Sequence, residues 1–363
     1  MRKLLILLTL LLLLPLTASA DVLGVEVGPE DARVDLTGIK DMAKKVNTLI
    51  RDLEANPQVT EVDLMNVKLD VKYMGQLVKA CPNVHFHWKV KVADGYFTCE
   101  NQVMDLDALH DTAKLSQIAA ALDALPNIQE VLMYKYRPSL NGMRDYLLSK
   151  YPDVRFGWTL DWIICDGRRV RLRSDATAFS TAKGRQDPRY TAQQIWDRLQ
   201  FFPELLAIDV GHNNVTDLSF LTNFPGLKRL ICIDSKVPVT DLTPLTELYE
   251  LEYIELFMQD ITDISPLANH EKLLDLNLCH NNITDLSPLY SCTSLERLWI
   301  SYNPNLKQEE IDKLQAALPN CHIEAETYQS TGAGWREHER YDIMYYSFQD
   351  NTYYPFGEPL PEK

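Results

Sequence analysis

From Leu205 onward one pattern returns five times. A chain repeating at so short a period must stack its units, because no unit alone can bury its own apolar face. The pattern Leu-x-x-Leu-x-Leu-x-x-Asn-x-Ile starts at Leu205, Leu227, Leu251, Leu273 and Leu295, at spacings of 22, 24, 22 and 22 residues, with the two extra residues near 236–238. Inner positions alternate as Ile208/Val210, Leu230/Cys232, Ile254/Leu256, Leu276/Leu278 and Leu298/Ile300. That period of two predicts strands with one buried face. Each of the first four units then runs through Thr-Asp-Leu or Thr-Asp-Ile, at Thr216, Thr240, Thr262 and Thr284, and the last three continue into a proline at 244, 266 and 288. Aspartate and Ser/Thr satisfy local backbone groups while proline fixes φ, so the second half of each unit is expected to be a compact turn. The ninth position holds Asn213, Ser235, Gln259, Asn281 and Asn303, able to bond neighbouring loop backbones as a ladder.

These residues, most clearly Asn-Asn-Ile-Thr-Asp-Leu-Ser-Pro-Leu at 281–289, resemble bacterial leucine-rich repeats of the internalin type. The resemblance covers about 205–324, a third of the chain. It implies a curved solenoid of exported bacterial surface proteins that binds protein or glycan without catalysis. Ser235 and Gln259 depart from the ladder asparagine, the second unit is lengthened and the array is short, so no particular partner carries over.

Upstream the period is longer. Residues 57–62 match 126–131, and 81–88 match 151–158, at offsets of 69 and 70; a third copy opens near Thr177. Within these copies the pattern predicts helices at 46–53, 74–80, 115–125 and 143–150, with strands at 59–64, 84–92, 128–133 and 154–162. A turn containing Gly95 or Gly167 follows, then a strand such as 169–173. The third copy adds a helix at 195–202. The expected architecture is α/β: a leucine-rich-repeat solenoid, a right-handed curved array with helix-containing longer units on the N-terminal side and short turn-backed repeats on the C-terminal side. Long and short units together read as one continuous solenoid. The organisation is an export signal at 1–20, repeat units of about 70 residues at 21–204, the short array at 205–324 with a capping helix at 308–318, and an aromatic-rich tail at 325–363.

Arg2 and Lys3, the apolar run 4–16 and Ala18-Ser19-Ala20 make a three-part export signal, so a secreted or cell-surface protein cleaved near Asp21 is expected. No later stretch approaches the ~20 apolar residues of a spanning helix. The net charge of −15, about −17 without the two signal cations, disfavours nucleic acid and anionic lipid as partners. Seven scattered cysteines are neither a metal motif nor a small disulfide scaffold, and no disulfide is expected among Cys232, Cys279 and Cys292.

Function is expected on the strand residues that point away from the core. A solvated face would be polar, yet aromatic and apolar side chains lie there among charges: Arg229, Ile231, Tyr253, Glu255, Phe257, Met258, Asp275, Arg297, Trp299 and Tyr302. Aromatics beside arginine anchor protein interfaces, so this concave face is the expected site for a protein partner. The competing arrangement has the tail fold back over it. That tail holds nine aromatics in residues 325–363, which must pack somewhere; docking on the last repeats is favoured, and stacking on sugar rings makes glycan or cell-wall binding the alternative.

No catalytic constellation stands out, no cofactor is expected, and a secreted hydrolase is the outside alternative. His85 and His87 share a strand face and with Cys81 could in principle hold zinc. The second copy has Tyr151, Arg155 and Gly157 instead, so no metal is expected. His212 and His280 stand three units apart, ~14 Å at strand spacing, too far to share an ion.

Overall fold

A computed structural model describes residues 20–136, 142–163, 169–181 and 190–361. Residues 1–19 of the expected export signal at 1–20, and Cys165, lie outside the described residues. The chain forms two compact units, Met1–Trp158 and Thr159–Lys363.

In the first unit, β1 (Ala20–Val22) and β2 (Val25–Val27) form a hairpin. The first long copy follows as β3 (Arg33–Asp35), α1 (Met42–Ala55), β4 (Glu61–Asp63), α2 (Val71–Ala80) and β5 (His85–His87), with the three strands in one parallel sheet. Met42, Val46, Leu49 and Leu53 recur at spacings of three and four, which puts all four on the buried side of α1. Asp70 starts α2 by accepting the Lys72 amide at 3.0 Å. An antiparallel hairpin, β6 (Lys89–Val92) with β7 (Gly95–Thr98), separates this copy from the second. The second copy is β8 (Val103–Asp105), α3 (Leu115–Ala124), β9 (Glu130–Leu132), α4 (Met143–Lys150) and β10 (Arg155–Gly157), again a three-stranded parallel sheet.

Two expectations are corrected here. The strand expected over 84–92 is two strands, and so is that over 154–162. In the first, the chain leaves the parallel sheet at Trp88, which is buried and donates its indole N–H to the Ala124 carbonyl at 3.0 Å. Among the described residues of this unit the single continuous ladder is also absent: β3-β4-β5 and β8-β9-β10 are separate sheets, with the hairpin β6–β7 between them in the chain.

The second unit opens on the hairpin β11 (Thr159–Ile163) and β12 (Arg169–Arg173), then β13 (Ala178–Ser180) and α5 (Ala192–Leu199). Thr191 and Gln194 cap α5 reciprocally at 3.2 and 3.0 Å, which starts it three residues before the expected Ile195. A seven-stranded parallel sheet then runs in chain order through β13, β14 (Ala207–Asp209), β15 (Arg229–Ile231), β16 (Tyr253–Glu255), β17 (Asp275–Asn277), β18 (Arg297–Trp299) and β19 (His322–Glu324). The change of period at 204/205 is therefore not a break in the sheet: β13, from the third long copy, pairs with β14.

The middle residues of these strands, from Phe179 through Ile208, Leu230, Ile254 and Leu276 to Leu298, are buried in register. Opposite them lie short 3-10 turns at Ser219–Asn223, Thr243–Leu245, Ser265–Leu267 and Ser287–Ser291. Each is started by the repeat aspartate, Asp217, Asp241, Asp263 or Asp285, accepting the amide two residues on at 2.8 to 2.9 Å. The asparagine ladder forms as expected. Asn281 donates to the Leu256 and Leu278 carbonyls and accepts the Ile261 amide, and Gln259 does the same work for Cys232 and Val239. After α6 (Gln308–Ala317), β19 closes the sheet edge, and a last helix, α7 (Glu339–Asp350), belongs to the tail.

Candidate functional site

The strand residues flanking the buried centre form two rows across the outer face. One row reads Ala178, Ala207, Arg229, Tyr253, Asp275, Arg297 and His322; the other reads Ser180, Asp209, Ile231, Glu255, Asn277, Trp299 and Glu324. The C-terminal segment lies on these rows. Trp335 is fully buried between Tyr253 and Trp299, at ring-centroid distances of 5.5 and 5.1 Å, and donates its indole N–H to Glu255 Oε1 at 2.8 Å. Met344 and Phe348 of α7 join Ile231, Ile233, Tyr253, Phe257 and Trp299 in a second apolar core.

Charges are matched as closely as the rings. Arg297 pairs with Asp275 at 2.7 Å and donates to the Trp335 carbonyl at 3.3 Å. Arg340 of α7 reaches the same Asp275 oxygen at 2.9 Å and also Glu296. Arg229 donates to Glu252 at 2.9 Å, Ser347 at 3.2 Å and the Tyr354 carbonyl at 2.6 Å, and its guanidinium lies 3.8 Å from the Phe356 ring centre. Asn277 and Trp299 donate to the Ser330 and Gly332 carbonyls at 2.6 and 3.0 Å.

The expected open concave site is corrected by this geometry. Of the ten residues, Arg229, Ile231, Tyr253, Glu255, Phe257, Asp275, Arg297 and Trp299 are buried, mostly beneath the tail, and only Met258 and Tyr302 are exposed. The aromatics of the tail and the aromatics of the face were complementary to each other. Buried arginines need partners: Glu252 and Asp275 of the ladder supply the carboxylates, and Ser347 with the Tyr354 and Trp335 carbonyls of the tail adds further acceptors.

Met258 and Tyr302 belong to a row at the ends of the strands: His212, Asp234, Met258, His280 and Tyr302, all with φ between 46° and 58°. The cause is the ladder. This left-handed turn lets the amides of His212, Met258 and His280 donate to Ile233, Cys279 and Ser301 of the next unit at 2.8 to 3.0 Å. His212 also meets Asp234 at 2.9 Å, and His280 stacks on Tyr302 at 4.1 Å.

Where α7 crosses the first strands a cavity of about 290 Å³ remains, lined by Ser180, Asp209, His212, Ile233, Glu255, Arg336, Tyr341, Tyr345 and their neighbours. Burial pushes the Asp209 and Glu255 carboxyls above their ordinary values, against the bonds from Ser180 and the Gly211 amide in one case and from Tyr253 and Trp335 in the other. A carboxyl held towards its protonated form can both donate and accept a hydrogen bond, so this wall offers an occupant both kinds of contact. The sequence reading missed Asp209, His212 and Arg336 as a group, since only the docked tail brings residue 336 to residue 209.

Among the chemistry candidates, Cys81 is the buried C-cap of α2, while Cys99 and Glu100 stand beside His85 and His87. Cys232, Cys279 and Cys292 are buried free thiols. Burial pushes the first two up to about 12, so they are inert neutral groups.

Residues 271–316 match the family model described as leucine rich repeats, two copies. With the in-register sheet, 3-10 turns and asparagine ladder, this defines the C-terminal unit as a leucine-rich-repeat solenoid. Among solved structures, the chain is similar to internalin C2 of Listeria monocytogenes (23% identity over 43% of this chain and 76% of that one, TM-score 0.30) and to another internalin of that organism (14%, 83% and 94%, 0.31). A leucine-rich-repeat protein of Leptospira interrogans aligns at 15% identity over 76% and 74%, TM-score 0.35. No curated protein matches the chain. Among the described residues no helix is long and apolar enough to cross a membrane.

Proposed function

We propose that this protein is an exported, non-catalytic module that binds a protein partner at the strand-end rim of its repeat ladder and over the seam between ladder and tail. The observation that carries the reading is the rim row: Met258 and Tyr302 stay exposed while the other eight residues expected on the face are buried, and the row begins at His212, which also lines the cavity. Exposed apolar and aromatic groups beside a partly polar pocket are the usual composition of an interface anchor. The carboxyls of the cavity, held towards their neutral form by burial, suit an amide side chain of the partner, which both donates and accepts. For glycan binding the tail offers Tyr328 and Tyr345 as exposed rings, most of its other aromatics being committed to the ladder.

The test is capture from cell-envelope and host-surface extracts by the immobilised protein, run beside a Met258→Ala, Tyr302→Ala variant. Both side chains are surface groups, so the variant keeps its fold within about 0.5 kcal/mol per site. A protein captured by the parent and lost by the variant supports the rim. Equal capture by both, elution by oligosaccharides, or turnover of a captured component overturns it in favour of another surface, a glycan, or an enzyme.

A further inference from the structure

The first long copy gathers four metal-ligating side chains that the sequence keeps apart. His85 and His87 project from the same side of β5, because Phe86 between them points into the core. The hairpin then turns through Ala93 and Asp94 with Lys89 opposite Thr98. Continuing that register sets Cys99 against Trp88 and Glu100 against His87. Asn101 holds the end of the hairpin by accepting the Thr98 amide at 2.7 Å, and Asn127 donates to the Cys99 carbonyl at 2.9 Å.

One donor atom from each of His85, His87, Cys99 and Glu100 lies within 4.8 Å of all the others. Glu100 Oε1 stands 3.6 Å from His85 Nε2, 3.4 Å from His87 Nδ1 and 3.4 Å from Cys99 Sγ, and that sulfur is 3.8 Å from His87 Nδ1. Bonds of about 2.0–2.3 Å to a tetrahedral zinc imply donor-to-donor edges of roughly 3.3–3.8 Å. Four of the six edges already have that length. His87 further presents its other nitrogen, Nε2, to Glu61 Oε2 at 3.3 Å. A carboxylate behind a histidine is the usual outer partner that fixes a metal ligand's ring.

We propose that His85 Nε2, His87 Nδ1, Cys99 Sγ and Glu100 Oε1 form a closed tetrahedral site for a borderline divalent cation of the zinc class, clipping the hairpin β6–β7 to the sheet β3-β4-β5. This revises the expectation of no metal, which weighed the histidines with Cys81. Two imidazoles, a thiolate and a carboxylate neutralise a dication. On binding, the Cys99 thiol gives its proton to solvent as the metal–sulfur bond forms, and no electron moves. The second copy carries Arg155, Gly157, Ser174 and Asp175 at the matching positions, so the set is not a by-product of the repeat. Four protein ligands leave no open position, so the ion is structural.

The experiment titrates the reduced, chelator-treated full chain with zinc alone by calorimetry, and with cobalt(II) to read thiolate-to-metal charge transfer. One equivalent of zinc, a sulfur charge-transfer band and a higher melting temperature are expected. Cys99→Ser and His87→Ala should abolish the band or the stoichiometric uptake; Glu61→Gln should weaken affinity 10–100-fold, and Cys81→Ser should change nothing. His85 is partly solvent-exposed, so His85→Gln keeps the fold and must also weaken binding. No uptake by the parent, or uptake unchanged in His85→Gln and in the His87→Ala, Cys99→Ser pair, overturns the site.

Discussion

In the sheet β3-β4-β5, Arg33 donates to Asp63 at 2.8 Å, with the two side chains 56% and 20% exposed. In the seven-stranded sheet, Arg297 donates to Asp275 at 2.7 Å, with exposures of 9% and 0%. The length is nearly the same and the surroundings are opposite. Water screens the first pair, whereas the second sits under Trp335 and Arg340, where each charge depends on its partner. A ladder face is therefore neither a binding surface nor a core by its own composition. What lies on it decides, and here a 39-residue tail makes one ladder a second core while the described N-terminal sheet keeps its ion pairs in solvent.

The contrast can be broken most severely at Trp335. Trp335→Ala removes a fully buried ring, for about 3–5 kcal/mol by truncation, and uncovers the charges beneath. Urea midpoints should fall accordingly, and residues 325–361 should become the first site of limited proteolysis. A variant with an unshifted midpoint and a protected tail would show that the tail does not depend on this anchor. Asp275→Ala leaves Arg297 and Arg340 facing each other without their shared carboxylate, at a cost of about 3–5 kcal/mol; a loss under ~1 kcal/mol would mean that solvent reaches the pair.

Acid titration should separate the two faces of the same repeats by sign. The Ser287 amide and hydroxyl hold the Asp285 carboxyl below its ordinary 3.8, so its contribution is present above that value and is lost as pH falls through the folded one. Burial pushes Glu255 above its ordinary 4.5, so its stabilising state is the protonated one, complete below 4.5 and lost as pH rises through the folded value. Denaturant midpoints should show Asp285→Asn losing ground above about pH 4, and Glu255→Gln gaining relative to the parent as pH rises. Parallel pH curves for parent and variants would refute both assignments. The smallest effect belongs to Arg33→Ala, which should leave the melting temperature unchanged within error; a measurable loss would place that ion pair out of solvent.

Much of this was legible in the residues. The alternation Ile208/Val210 through Leu298/Ile300 gave the strand centres, and the four Thr-Asp turns gave the 3-10 segments, because both depend on neighbours a few residues away. Asn281 could be read as a ladder rung for the same reason. Cys99 was within reach of the hairpin register, but only with the turn at Ala93-Asp94 and the break at Trp88 placed to the residue. The nine aromatics of the tail announced that it packs.

Its destination was not announced. The period of the array determines which face of each strand is inner, since burying one side of a repeated strand is the same local problem in every unit. Whether the outer face meets water or chain depends on residues such as Glu255 and Trp335, eighty positions apart. No periodicity links them, and their meeting is set by shape and charge complementarity in the folded state. Tertiary structure alone decided that the aromatic and arginine row is a buried seam, that Met258 and Tyr302 are left at its rim, and that two histidines acquire a cysteine and a glutamate as neighbours.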